Sequence, residues 1–159
     1  VLRQAQTQGY TEPDPRLDLN GTDVARKILI LVREAGYKVE MDDIENSAFL
    51  PASCLKGDVE DFYSEMERHE SHFKKLFDDA STQGLQLKYI ASFDNGKAWV
   101  GLQSIAADHN FANLSGKDNA VLFYTNRYSD QPLVIKGAGA GADVTAAGVF
   151  ADIIRACRT

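Results

Sequence analysis

The strongest constraint on the fold of this chain lies in its middle. Leu85, Leu87, Tyr89 and Ala91 alternate with Gln86, Lys88, Ile90 and Ser92, and Ala98, Val100 and Leu102 alternate with Lys97, Trp99 and Gly101. Asn95-Gly96 stands between the two runs. A period of two sends successive side chains to opposite faces of a strand, and Asn-Gly readily adopts the two left-handed conformations of a tight hairpin turn. A β-hairpin over residues 85–105 is therefore the anchor of the fold. Ile90 and Trp99 fall out of phase with Leu87, Tyr89, Val100 and Leu102, so both faces of the hairpin carry apolar side chains. One face can cover the chain's own helices, and the other predicts a contact with a partner.

The flanking segments read as helices and further strands. After a short helical stretch ending near Gly9, Pro13 and Pro15 make residues 10–16 a stiff loop. Asn20-Gly21-Thr22-Asp23 supplies capping residues for a helix over 24–35, apolar almost all the way round and so expected to be buried on most sides. Residues 39–50 read as a strand stopped by Pro51, and residues 58–81 as one or two amphipathic helices. Two more strands are predicted at 120–124 and 132–135, and an Ala-rich helix at 143–157 with Asp143 as its cap. Helices and strands come in blocks, which makes the fold α+β: a mainly antiparallel mixed sheet with helices packed against it.

Composition narrows the partners. With 159 residues, 44% of them apolar, the chain can bury a core as one globular unit. A formal net charge of -6 disfavours general attraction to nucleic acid or anionic lipid. The longest apolar run, residues 28–32, is too short to span a bilayer, and no leader pattern is present. Cys54 and Cys157 match no metal spacing and read as reduced thiols in a cytoplasmic protein. The chain starts at Val1, without methionine, in a segment that reads like the middle of a helix, so a further domain is expected upstream.

Chemistry concentrates around the proline loop. Glu12, Asp14, Asp18, Asp23 and Lys27 place four carboxylates and one amine where that loop enters a helix, with Asp23 and Lys27 one turn apart on one face. Such a pair is commonplace on a helix surface. On a buried helix, however, a lysine needs a charged partner or a ligand. Carboxylates that receive an ammonium, beside a lysine that faces an oxygen gaining charge, would suit a small zwitterionic substrate. The run Gly137-Ala138-Gly139-Ala140-Gly141-Ala142 satisfies a dinucleotide fingerprint by its letters, but no second strand with a ribose-binding acid follows it. It reads equally as a small-residue turn or as a loop pressed against a cofactor bound elsewhere. His69 and His72 are three apart without a third ligand, so no metal is expected, and His109 stands alone. No Ser-His-Asp or cysteine-nucleophile constellation supports a hydrolase.

Two stretches together resemble one family. Gly9-Tyr10-Thr11-Glu12-Pro13-Asp14-Pro15-Arg16-Leu17-Asp18-Leu19-Asn20-Gly21-Thr22-Asp23-Val24-Ala25-Arg26-Lys27 resembles the signature of homoserine dehydrogenases, and residues 137–152 resemble their C-terminal motif. Asn119-Ala120-Val121-Leu122-Phe123-Tyr124 and the ending are more similar to the versions fused to an aspartate kinase. The resemblance implies interconversion of L-aspartate 4-semialdehyde and L-homoserine with NADP or NAD, in threonine and methionine biosynthesis. It implies that Lys27 is the acid/base, that Glu12 and Asp23 bind the substrate, that Asp18 lies beside the substrate's amino group, and that Gly141 touches the cofactor. It also implies a homodimer or higher homo-oligomer meeting through the strand-rich region. Residues 1–136 would then bind substrate and dimerise, while residues 137–159 would pack on a nucleotide-binding domain. Leu17 departs from the acidic residue expected before Asp18. The chain by itself is expected to be inactive. The competing reading is a non-catalytic amino-acid-sensing or dimerisation module built on the same acidic pocket.

Overall fold

The computed structural model describes residues 2–7, 11–116, 118–139 and 141–158. They form two compact units, Val1–Ala106 and Ala107–Thr159. The α+β class holds, with its sheet divided in two: a three-stranded mixed sheet and a two-stranded antiparallel one.

The first unit is built on the predicted hairpin. Strands β2 (Gln86–Asp94) and β3 (Lys97–Ile105) pair antiparallel from Gln86 opposite Ile105 to Asp94 opposite Lys97. Asn95 and Gly96 turn the chain with φ of 49° and 78°, the double left-handed geometry that the right-handed twist of the strands favours. Strand β1 (Ile44–Ser47) adds parallel to β3, which places β3 at the centre of the sheet.

Helix α3 (Thr22–Glu34) packs against this sheet. Its Ala25 and Val32 join Val39, Ile44, Ala98 and Val100 in one core, flanked by Tyr89, Ala91 and Phe93. The expectation that this helix is buried on most sides does not hold. Ile30 is 61% exposed, and Leu31, Asp23 and Lys27 are exposed as well. A sheet covers only one face of a helix, and Asp23, Arg26, Lys27, Arg33 and Glu34 give α3 a charged side that stays exposed.

The strand expected over 39–50 is confined to β1. Ahead of it, Met41–Asp43 forms a 3-10 turn in which the Asp43 carboxylate accepts the Glu40 backbone N–H at 2.8 Å. Acidic side chains that bond nearby backbone compete with a sheet ladder. A second core gathers Leu50, Cys54, Phe62 and Tyr63, with Leu2 of α1 (Leu2–Thr7) and Leu19 of α2 (Arg16–Leu19) against it. Residues 58–81 resolve into two helices, α4 (Val59–Arg68) and α5 (Glu70–Thr82). A reciprocal cap opens α4: Asp61 N–H donates to Asp58, and Asp58 N–H to Asp61.

The second unit holds β4 (Asp118–Thr125) and β5 (Tyr128–Ala138), paired antiparallel, and helix α6 (Ala142–Ala156). Both strands exceed their predicted lengths, because the ladder runs back to Asp118 opposite Ala138. Helix α6 is capped by Gly141 rather than by Asp143, which sits inside the first turn. The N-cap backbone has φ 134° and ψ 152°, a conformation open only to glycine. Gly139 is constrained differently, since a Cβ there would lie 1.7 Å from the Asn119 amide nitrogen. The exposed apolar surface also lies elsewhere than expected. Ile90 and Trp99 are half-buried, and the large exposed apolar side chains gather on β5 and α6, at Leu133, Val134, Ile135, Val149, Phe150 and Ile153.

Candidate active site

The loop before α2 is locked by one residue that sequence reasoning passed over. Arg16 donates to the Asp14 carboxylate through Nε at 2.8 Å and Nη2 at 2.6 Å, and reaches the Gly57 carbonyl through Nη1 at 2.8 Å. These hydrogen bonds hold the Asp14 carboxyl below its ordinary range. The fork ties the proline loop to the turn before α4. Asp14 is therefore part of the scaffold, and Pro15, buried beside it, opens α2. Gly9, Tyr10 and Ala140, which belong to the motifs quoted above, lie outside the described residues.

That scaffold presents the candidate ligands. The Glu12 backbone N–H donates to Asp18 Oδ2 at 2.9 Å, so Asp18 sets the loop geometry around Glu12. The Asn20 side chain accepts the Thr22 N–H at 2.9 Å, and Gly21, at φ 80°, swings the chain into α3. Asp23 and Lys27 then meet across one helical turn at 2.8 Å. Glu12, Leu17, Asp18, Thr22, Asp23 and Arg26 line an open cleft of about 300 Å³.

Three of the predicted substrate ligands, Glu12, Asp18 and Asp23, thus share a cleft. Lys27 joins them through Asp23 and does not line the cleft itself. Its environment differs from the expected one: the ion pair is exposed, so no desolvation penalty obliges the lysine to find a partner. Gly141 belongs to the second unit. Arg26 lines the cleft as a cation that sequence reasoning did not single out; its position one turn after Asp23, beside Lys27, was the available signal.

His69 Nε2 meets Ser53 Oγ at 3.0 Å and His72 Nε2 meets the Phe49 carbonyl at 3.0 Å, so each ties α5 or its entry to the 49–53 segment. Among the described residues, no three or more His, Cys, Asp or Glu side chains come together in a group that could hold a metal ion. Ser53, His69 and Glu65 superficially suggest a triad, yet Glu65 approaches the same Nε2 that meets the serine, at 3.8 Å, and cannot orient the ring from its other side. Burial pushes the Cys54 thiol up, which makes it a core residue and not a nucleophile.

Comparison with known proteins decides the family. Residues 1–154 match homoserine dehydrogenase. The chain belongs to the homoserine dehydrogenase family. It is 44% identical over 156 residues to bifunctional aspartokinase/homoserine dehydrogenase 2 of Escherichia coli, covering 98% of this chain and 19% of that protein. A chloroplastic bifunctional enzyme of Zea mays is also 44% identical, over 98% of this chain and 17% of its own length. The homoserine dehydrogenase of Emericella nidulans is 41% identical, with 98% of this chain and 44% of that protein covered. Among solved structures, a Candida auris protein described as of unknown function superposes with TM-score 0.88 at 41% identity, over 96% of this chain and 44% of that one. The S. aureus homoserine dehydrogenase shares the fold, with TM-score 0.68 at 22% identity, over 98% of this chain and 36% of that one. The chain spans less than half the length of each of these relatives. No described helix is long and apolar enough to cross a membrane.

Proposed function

We propose that this chain is the substrate-binding and dimerising part of a dehydrogenase that interconverts L-aspartate 4-semialdehyde and L-homoserine on the route to threonine and methionine. The observation that carries this reading is the convergence of Glu12, Asp18 and Asp23 on one cleft, with Lys27 Nζ held 2.8 Å from Asp23. Glu12 and Asp23 bind the substrate, and Asp18 supports its ammonium end. Lys27 gives a proton to the substrate oxygen as that oxygen gains charge during reduction. Oxidation of homoserine needs the neutral amine, so it should run faster at alkaline pH.

A nicotinamide, NADP or NAD, supplies the hydride when bound. The three-stranded sheet has one parallel pair and the other sheet has none, so neither makes the parallel β-α-β crevice in which a pyrophosphate would rest. Only Gly141, at the start of α6, is proposed to touch the cofactor. Residues 137–159 then pack on a nucleotide-binding domain outside these 159 residues, and residues 1–136 bind substrate and dimerise. The greater length of the relatives leaves room for such a domain. The free thiols Cys54 and Cys157 agree with a reducing, cytoplasmic setting.

Replacement of Lys27 by Ala in the full-length enzyme tests the reading. Turnover should fall at least about a hundredfold while cofactor affinity holds. Near-normal turnover at every pH would remove Lys27 from the chemistry.

A further inference from the structure

The start of helix α3, which carries Asp23 and Lys27, is held by the sheet more than by itself. Its N-cap is Gly21, which has no side chain to accept the unpaired amides of the first turn. The first helical bond, Ala25 N–H to the Gly21 carbonyl at 2.9 Å, therefore depends on how the Asn20-Gly21 turn is placed. Two side chains from the outer strands of the sheet place it. Asn46 of β1 donates through Nδ2 to the Asn20 carbonyl at 2.8 Å, and its Oδ1 accepts the Tyr89 hydroxyl of β2 at 3.2 Å. Both press on buried Gly21: a Cβ there would lie 2.3 Å from the Tyr89 oxygen and 2.8 Å from Asn46 Oδ1.

We propose that Asn46 and Tyr89 are positioning residues for the dehydrogenase site, clamping the Asn20-Gly21 turn so that α3 presents Asp23 and Lys27 to the cleft. The inference rests on the roles proposed above for those two residues. The clamp stands on the rigid part of the first unit. Asn46 is paired with Val100, which is fully buried in the central strand, and the Tyr89 ring meets Phe49 edge-on with centroids 5.9 Å apart. Asp23 lies two residues beyond the clamped turn and Lys27 one helical turn further, so a shift of the turn moves both. A misplacement of about 1 Å can cost on the order of a hundredfold in rate. Both clamping side chains are neutral, and burial pushes the Tyr89 hydroxyl up.

The test uses the full-length enzyme with Asn46→Ala, Asn46→Asp and Tyr89→Phe. Aspartate keeps an acceptor for Tyr89 but sets a carboxylate oxygen against the Asn20 carbonyl, while phenylalanine keeps the ring packing and removes only the hydroxyl. Both Asn46 variants should lower kcat/KM for homoserine at least about tenfold, leave the nicotinamide KM within about twofold, and shift the alkaline limb of the pH profile. Tyr89→Phe should act in the same direction by a few-fold. Amide exchange at residues 23–26 should quicken in all three variants, independently of any activity. If the Asn46 variants fail to fold, Tyr89→Phe decides alone, and wild-type exchange and kinetics in that variant overturn the clamp. Faster exchange with unchanged kcat/KM and pH profile, in an enzyme that Lys27→Ala inactivates, overturns the positioning role and leaves the site assignment standing. Retained activity in Lys27→Ala itself brings down the site assignment, and with it this inference.

Discussion

The two units of this chain hold together by different means. Among the described residues, every buried apolar side chain except Ala112 belongs to the first unit, where a helix and a central strand share one core and α4 anchors another. The second unit consists of a hairpin and a helix with no buried residue in α6. Its elements arise from local pairing and helix propensity, and its apolar faces remain open. A face of that kind is useful only if something else covers it. The difference is one of burial: the first unit encloses two cores, while the second leaves the apolar side chains of β5 and α6 exposed.

The largest effect that could break this contrast is activity itself. The isolated 159-residue chain should show no cofactor-dependent turnover and should sediment as a dimer at micromolar concentration. Turnover by the pure chain would show the cofactor site to be complete within it, and a monomer would remove the proposed partner from the open faces. Next in size is core packing. Phe62→Ala, at a side chain with no exposure, should destabilise the chain by about 3–5 kcal/mol in denaturant unfolding, whereas Phe150→Ala, at 64% exposure, should stay within about 0.5 kcal/mol. A comparable loss at Phe150 would mean that α6 is covered in solution.

A smaller effect tests the cleft. Glu12→Gln keeps the shape and removes the charge, and should raise the homoserine KM about tenfold, or about 1.4 kcal/mol of binding, with little change in turnover. An unchanged KM would exclude Glu12 from ammonium binding. The smallest effect compares the two units through their carboxylates. Asp14 is held low by Arg16, and Asp118 by Lys136 at 3.1 Å. A carboxylate with a lowered folded-state pKa adds stability above its unfolded value, near about pH 4, and loses it as pH falls through the lower folded value. Arg16→Ala should therefore cost stability between about pH 5 and 7, and the difference from wild type should narrow in acid to the part due to the Gly57 hydrogen bond, which does not titrate. Asp118→Asn should follow the same course more weakly, because its partner is more exposed than Arg16. Thermal melts across pH give both curves, and a difference that grows in acid would reverse the sign and refute the argument.

Local rules were enough for much of this protein. Strand period and Asn95-Gly96 set the central hairpin, proline set the entry loop, and the density of carboxylates around Lys27 marked the region of the cleft, because turns, periodicity and one-turn neighbours are written in adjacent residues. Burial could not be read in the same way. Whether Ile30 faces protein or water depends on how far the element across from α3 reaches round it, and the apolar run of residues 28–32 masked the charged side formed by Asp23, Arg26, Lys27, Arg33 and Glu34. The 3-10 turn in place of an early strand followed from Asp43 competing for the Glu40 backbone, a choice between two local bonds of similar strength. Arg16 on Gly57, and Asn46 and Tyr89 on the Asn20-Gly21 turn, join residues about 25 to 70 positions apart. Only the tertiary fold decides such contacts, because polar side chains carry no periodic mark of their partner and the backbone alone brings donor and acceptor within reach.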